Sequence, residues 1–169
     1  ALMTTFSNPL IGILVGIVFT SILQSASAAV GILQALSATG AITFDVSLYL
    51  IMGISIGAAV PVLLSAIGAD TDGKRTAISY LMVNVIGVIV SAVIIYPVSH
   101  FVSFPFMSAV MTTVSIALLN SVFRIINITI LAPFIKHIEK LCGLIAPEKA
   151  EKSEDLSDMD RLEERFLEH

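Results

Sequence analysis

The sequence of 169 residues has little cysteine and, over most of its length, little charge. With Cys142 as its one cysteine, it can form no intrachain disulfide and no cysteine-based metal site. It has no basic stripe of the kind that binds nucleic acid, so we expect no nucleic-acid partner. It also lacks a Ser/His/Asp arrangement, a Walker-type loop and His/Glu metal spacing. We therefore expect neither an enzyme nor an organic cofactor.

Apolar residues dominate what is present. They make up 56% of the chain, charged residues make up 13%, and the mean hydropathy is +0.96. Such values are typical of a membrane protein, whose partner is the lipid bilayer. The net charge of -4 comes from the acidic segment after Pro147. The first apolar stretch lacks a basic n-region, so we do not interpret it as a signal peptide.

Four apolar segments are predicted, and the first has a polar cluster near its centre. They run from about Pro9 to Ala38, Val46 to Ile67, Ala77 to Tyr96, where Pro97 ends the helix, and Phe106 to Ile135. The first is long for one span and short for two, since about 20 residues cross the hydrocarbon core. One straight helix would bury its central polar cluster at mid-membrane, whereas a re-entrant hairpin would place that cluster at its tip. We favour the hairpin.

Lysine and arginine give the orientation. Lys74 and Arg75 lie in the loop between the second and third segments, and Lys136 and Lys140 follow the fourth. The positive-inside rule places these residues and the C-terminus in the cytoplasm. The sequence thus predicts an all-α polytopic membrane protein with a re-entrant helical hairpin and three transmembrane helices.

The central polar cluster of the first segment is the first candidate site. Gln24, Ser25 and Ser27 offer uncharged oxygens that suit a hard cation, and a hairpin tip would add backbone N–H groups that suit an anion. The alternative is that these small polar residues only join neighbouring helices.

Three further features have two interpretations each. Gly53, Ser55 and Gly57 either form an unwound stretch facing the tip or a packing face of small residues, as Gly12 and Gly16 also could. Arg124 is either the counter-charge for an anion or a side chain that snorkels to the interface. The single side-chain amide of the third segment, that of Asn84, is either a hydrogen-bond donor between helices, which we favour, or a ligand.

Several motifs resemble the sodium/phosphate cotransporter family over most of the chain. Gln24-Ser-Ala-Ser-Ala28 resembles the family's QSSSA signature, and Gly53-Ile-Ser-Ile-Gly-Ala-Ala59 resembles its GANIGTT stretch. Lys74-Arg-Thr-Ala77, followed by Val83-Asn-Val-Ile-Gly87, is similar to the next helix. Ala26, Ser55, Ala58 and Ala59 depart from the family pattern, and three hydroxyls are lost.

The resemblance implies a domain organisation. Members have two inverted repeats with one signature each, so residues 1–141 look like a single repeat that needs a second one or, in this fragment, a homodimer. Residues 142–169 look like a cytoplasmic linker and the truncated start of a PhoU-like helical domain, since Arg161-Leu-Glu-Glu-Arg-Phe-Leu167 is similar to that start. The expected location is the bacterial inner membrane.

The resemblance also implies a function, sodium-coupled transport of inorganic phosphate. Phosphate would bind Gln24, Ser25, Ser27 and Arg124, and the coupling sodium ion would bind Ser25, Ser27, Ser55 and Asn84. Two alternatives stay open. The chain could be a degenerate membrane anchor for a PhoU-like regulatory domain, or a transporter of another anion with Arg124 as counter-charge.

Overall fold

The computed structural model describes residues 8–101 and 105–145, and within these ranges the backbone is helical with no strand. The α-helices are α1 (Pro9–Leu23), α2 (Ala26–Ser37), α3 (Phe44–Gly57), α4 (Ala59–Ser65), α5 (Thr71–Phe101), α6 (Thr113–Leu131) and α7 (Ile135–Ile145). Short 3-10 turns cover Ala66–Gly68, Pro105–Ser108 and Ala132–Phe134. The predicted PhoU-like start lies outside the described residues.

Three stretches are long and apolar enough to cross a membrane: Phe44–Gly68, Thr71–Ile95 and Thr113–Ile145. Their outward side chains are apolar, as at Val93, which is 65% exposed, because lipid replaces water around them. Helices α1 and α2 have 15 and 12 residues, each too few to span a bilayer alone. The chain is thus a multi-pass helical membrane protein, as the sequence predicted.

Helices α1 and α3 make the closest contact in the fold. A Cβ placed at Gly53 would lie 2.1 Å from the carbonyl oxygen of Ile13, and one at Gly57 would lie 2.8 Å from the carbonyl oxygen of Ile17. Contacts therefore advance in the same direction along both helices, which run parallel. Gly16 meets the Gly53 Cα in the same way, at 2.9 Å. Small residues allow this approach, so the packing-face interpretation of these glycines is confirmed.

A short backbone pairing joins the beginnings of α3 and α6. The amide of Phe44 donates to the Ala109 carbonyl at 3.0 Å, and that of Met111 donates to the Ile42 carbonyl at 2.8 Å. Close by, the Gln34 side chain of α2 donates to the Thr113 carbonyl at 3.2 Å. The end of α2 and the starts of α3 and α6 consequently lie at one end of the molecule.

The opposite end is built from α5 and α7. The thiol of Cys142 contacts the sulfur of Met82 at 3.6 Å. Ile138 and Leu131 join them in a small apolar cluster against the first half of α5. Because α7 packs there, its residues Lys136 and Lys140 share an end of the molecule with Lys74 and Arg75 at the start of α5.

One polar contact joins α5 and α6 within the apolar layer, the hydrogen bond from Ser91 Oγ to Asn127 Oδ1 at 3.2 Å. We expect Ser91→Ala to lower the free energy of unfolding by about 0.6 kcal/mol, the mean for such bonds in membranes. Thr129→Ala is the control, since Thr129 donates within its own helix, to the Ile125 carbonyl. Thermal unfolding in detergent measures the stability of both variants, with a thiol-reactive dye that reports when the buried Cys142 becomes exposed. Equal losses in the two variants would contradict an interhelical role for Ser91.

Three predicted boundaries were wrong. Pro97 was expected to end its helix, but α5 continues to Phe101, because a proline removes only one backbone donor from a long helix. The helix predicted from Phe106 begins at Thr113, since residues 109–111 instead pair with the backbone before α3. Lys74 and Arg75 lie in the first turns of α5 and not in a loop.

Candidate functional site

The first apolar segment is broken at its polar cluster. Helix α1 ends at Leu23, and Gln24 follows in the left-handed conformation, with φ 52° and ψ 23°. Ser25 is extended, and α2 begins at Ala26. A single continuous helix through this segment is therefore wrong, and the break falls where the sequence predicted the tip. We call residues Gln24–Ser27 the elbow.

The left-handed backbone conformation of Gln24 is energetically unfavourable. Gln24 is the one non-glycine residue with a positive φ among those described. A side chain in this region costs about 1–3 kcal/mol, and glycine would avoid most of that cost. Its amide N–H donates to the Thr20 carbonyl at 2.8 Å, which closes the last turn of α1. The side chain of Gln24 is exposed.

Ser25 and Ser27 shape the start of α2. Ser25 Oγ accepts a hydrogen bond from the Ala28 amide at 3.3 Å, as an N-cap residue does, and lies 3.2 Å from Ser27 Oγ. The first amides of a helix have no intrahelical acceptor, so the N–H groups of Ala26 and Ser27 are not used by α2 itself. The elbow therefore combines two hydroxyls, one carboxamide and the N-terminus of a helix.

The other predicted site residues bond within their own helices. Ser55 is buried and donates to the Ile51 carbonyl at 3.0 Å. Asn84 donates to the Tyr80 carbonyl at 2.7 Å. Arg124 Nε donates to Asn120 Oδ1 at 3.4 Å. The structure thus brings Gln24, Ser25 and Ser27 together, and no hydrogen bond described here links the other three to them.

Arg124 follows on α6 from the contact that this helix makes with α2. It is about 16 Å along α6 from Thr113, and Gln24 is about 15 Å back along the chain from Gln34, at the helical rise. Gln34 and Thr113 are hydrogen-bonded to each other in both directions, so the two distances start from one point.

Two concave surfaces among the described residues are largely apolar. A groove of about 320 Å³ between α1, α2 and α3 is lined by side chains such as Phe19, Ile32 and Leu50. No group of three His, Cys, Asp or Glu side chains able to hold a metal occurs in the described ranges.

One functional candidate was missed by the sequence analysis. Thr20, one turn before Gln24, is completely buried and packs against Gly57 of α3. Its hydroxyl has no hydrogen-bond partner in the described part of the chain. Its place in the repeating pattern with Gly16 was the available signal, because residues four apart share a helix face.

Comparison with known proteins assigns this helical membrane unit to a family. The model of the Na+/Pi-cotransporter family matches residues 1–119, which include the elbow and the glycine contact. The chain belongs to the Na+/Pi-cotransporter family. No solved structure matches it.

Bacterial relatives of this cotransporter-family chain are distant and longer. It is 25% identical over 143 residues to "Putative inorganic phosphate export protein YjbB" of Escherichia coli K12, covering 84% of this chain and 26% of the relative. The protein of that name in Salmonella typhimurium is 31% identical over 87 residues, which is 52% of the chain and 16% of the relative. Uncharacterized protein YqeW of Bacillus subtilis is 30% identical over 76 residues, or 45% and 25%. The chain thus spans about a quarter of their length at most.

Proposed function

We propose that this chain is one repeat of an inorganic phosphate transporter in a bacterial inner membrane, and that its elbow is half of the substrate site. The observation that carries the proposal is the strained conformation of Gln24. A non-glycine residue held in the left-handed backbone conformation, with its side-chain carboxamide exposed, is characteristic of a site under functional constraint. The family membership supports transport of phosphate, and the names of two relatives refer to phosphate export.

The packing supports a re-entrant arrangement of α1 and α2. Thr20, one turn before the elbow, contacts Gly57 of α3. Gly57 is about 20 Å along α3 from Phe44 at the helical rise, and the apolar span continues beyond it to Gly68. The elbow would thus lie inside the bilayer. Asn8 and the end of α2 would both lie toward the start of α3. Irregular backbone at that depth is tolerated where it lines a cavity.

The elbow has the chemistry that an oxyanion needs. The free amides at the start of α2 and its dipole favour negative charge, and the hydroxyls of Ser25 and Ser27 and the amide of Gln24 can donate hydrogen bonds. We place Arg124 of α6 at a similar depth, where it would add a positive charge. A second repeat, related by an inverted axis, would supply the other half of the site at the interface between repeats. Two copies of this chain would have to lie antiparallel to do the same.

Sodium coupling is part of the proposal. Hydroxyl and amide oxygens of Ser25, Ser27, Ser55 and Asn84 are suitable ligands for a hard monovalent cation. We also propose a cytoplasmic C-terminus, because the basic residues of α5 and α7 lie at one end of the molecule. Residues 142–169 would continue into a cytoplasmic PhoU-like domain.

Phosphate flux tests this function. The protein is produced from its native gene, with any sequence encoded on either side, and reconstituted into vesicles with and without a sodium gradient. We expect labelled phosphate to cross the membrane, and to cross faster with the sodium gradient. Ser25→Ala and Ser27→Ala should each reduce the rate about tenfold or more, because each removes one or two charge-assisted hydrogen bonds to phosphate. Ser65→Ala, at an exposed hydroxyl at the end of α4, is the control.

Three other results of the flux experiment would contradict the site or favour an alternative function. Flux that neither elbow variant changes would contradict the site. Flux that sulfate or nitrate suppresses better than unlabelled phosphate would favour another anion. No flux in any condition would favour the membrane-anchor alternative.

A further inference from the structure

Helix α7 follows a helix that is already long enough to cross the membrane. Helix α6 has 19 residues, about 28 Å at the helical rise, and the hydrocarbon core of a bilayer is about 30 Å thick. The whole apolar stretch Thr113–Ile145 has 33 residues, or about 50 Å. The 3-10 turn Ala132–Phe134, which contains Pro133, separates the two helices. Helix α7 therefore begins near the place where the hydrocarbon core ends.

Helix α7 is amphipathic. Lys136 lies three residues before Glu139 and four before Lys140, so these charged side chains share one exposed face. Ile138 and Cys142 are buried against α5. Packing on α5 covers only part of the apolar face, because four large apolar side chains beside that contact stay exposed: Phe134, Leu141, Leu144 and Ile145.

The bilayer is the surface that these exposed side chains meet, because α7 continues directly from a helix that spans it. A helix with lysines on one face and large apolar side chains on another lies at a membrane surface, where its apolar side chains enter the acyl region and its lysines reach the headgroups. Tyr80 of α5 is 38% exposed and lies two residues before Met82, which contacts Cys142. Tyrosine is enriched at the membrane–water interface, so its position agrees with that level.

The charges of α7 indicate which headgroup fits. Both lysines are exposed, and neither forms an ion pair within the described residues. A lysine ammonium is a compact point charge that suits a phosphate group. Lys74 adds positive charge at the same end of the molecule, and three carboxylates reduce it, those of Asp70, Asp72 and Glu139. A zwitterionic lipid has no net charge to attract the lysines, so an anionic phospholipid is the complementary partner.

We propose that α7 is a docking surface for an anionic phospholipid, with Lys136 and Lys140 on the headgroup phosphate and Leu141 and Leu144 against the acyl chains. The surface lies on the side of the membrane where we place the C-terminus. It does not involve the elbow, and it does not depend on which solute the protein transports. Bound lipid would hold α7 against α5 and so stabilise the contact around Cys142.

Lipid-dependent stability tests the proposal. The protein from its native gene is heated in detergent with increasing phosphatidylglycerol or, separately, phosphatidylcholine, while a thiol-reactive dye reports exposure of Cys142. We expect only phosphatidylglycerol to raise the unfolding temperature. In Lys136→Gln/Lys140→Gln its half-maximal concentration should rise about tenfold or more, since two charges near an anionic headgroup are lost. Lys136→Arg/Lys140→Arg should resemble the native protein, because it keeps both charges.

A matched control removes the same charge elsewhere. Lys149→Gln/Lys152→Gln changes two lysines of the acidic segment that follows α7, and it should keep the native response to phosphatidylglycerol. If the two glutamine variants respond equally, only net charge matters and the proposal is wrong. If a protein segment covers α7 in place of lipid, the α7 variant will lose the same stability with either lipid, which also contradicts the proposal.

Inorganic phosphate is the other source of the same headgroup chemistry, and it is added without lipid in a separate arm. Any rise in unfolding temperature that it causes should be the same in the native protein and in Lys136→Gln/Lys140→Gln, because we place free phosphate at the elbow. If the α7 variant lost that response, its lysines would bind free phosphate, and the lipid surface would be wrong. Failure of this surface is thus distinguishable from failure of the transport function, which phosphate flux tests.

Discussion

Gln24→Gly is expected to abolish phosphate transport while leaving the protein as stable as before, or more stable by about 1 kcal/mol. Glycine adopts the left-handed conformation of residue 24 without steric cost, so the substitution removes strain. It also removes the carboxamide that we place on the substrate. Labelled phosphate flux in vesicles and thermal unfolding in detergent measure the two effects.

Gln34→Gly is the matched control. Gln34 lies within α2, where glycine loses about 1 kcal/mol of helix propensity, and its side chain binds the Thr113 carbonyl. We expect that variant to be less stable and to retain flux. If Gln24→Gly were destabilised to the same extent, the left-handed conformation of Gln24 would be wrong. If its flux were unchanged, the elbow would not be the substrate site.

Gly53→Ala is expected to have the largest effect on stability, a loss of about 3 kcal/mol. The added Cβ would lie 2.1 Å from the Ile13 carbonyl oxygen and 2.8 Å from the Gly16 Cα. Both are backbone atoms, so no side chain can rotate away, and α1 must move off α3. Dye labelling of Cys142 during heating measures the loss.

Gly31→Ala gives the comparison for that substitution. Gly31 lies within α2, and a Cβ there would meet nothing within 4 Å. Alanine should therefore stabilise it by up to about 1 kcal/mol through helix propensity. If both variants unfolded at the same temperature, the close contact between α1 and α3 would be contradicted.

Hydropathy made much of the fold predictable. The three spans follow from apolar runs of sufficient length, and the break at Gln24–Ser25 follows from a polar cluster in a segment too long for one span. The glycines of α3 had two interpretations, and the sequence could not choose between them. The choice depends on which helix lies opposite, and the contact with Gly16 settles it as packing.

Details set by tertiary contacts could not be predicted. The start of α6 at Thr113 depends on the pairing of residues 109–111 with the chain before α3. Thr20 looked like one more hydroxyl in an apolar helix, because its missing hydrogen bond is visible only in three dimensions. The contact between Gln34 and Thr113, which joins α2 to the start of α6, is likewise visible only in three dimensions.

Labelling from one side of the membrane tests the re-entrant elbow most directly. In a Cys142→Ser background, Asn8→Cys and Thr39→Cys place one thiol at each end of the α1–α2 segment, at exposed positions, and Gly68→Cys marks the far end of the α3–α4 span. An impermeant thiol reagent is added outside intact cells. We predict that it labels Asn8→Cys and Thr39→Cys but not Gly68→Cys. Labelling of only one of the first two would mean that the segment crosses the membrane, and would contradict the proposed elbow.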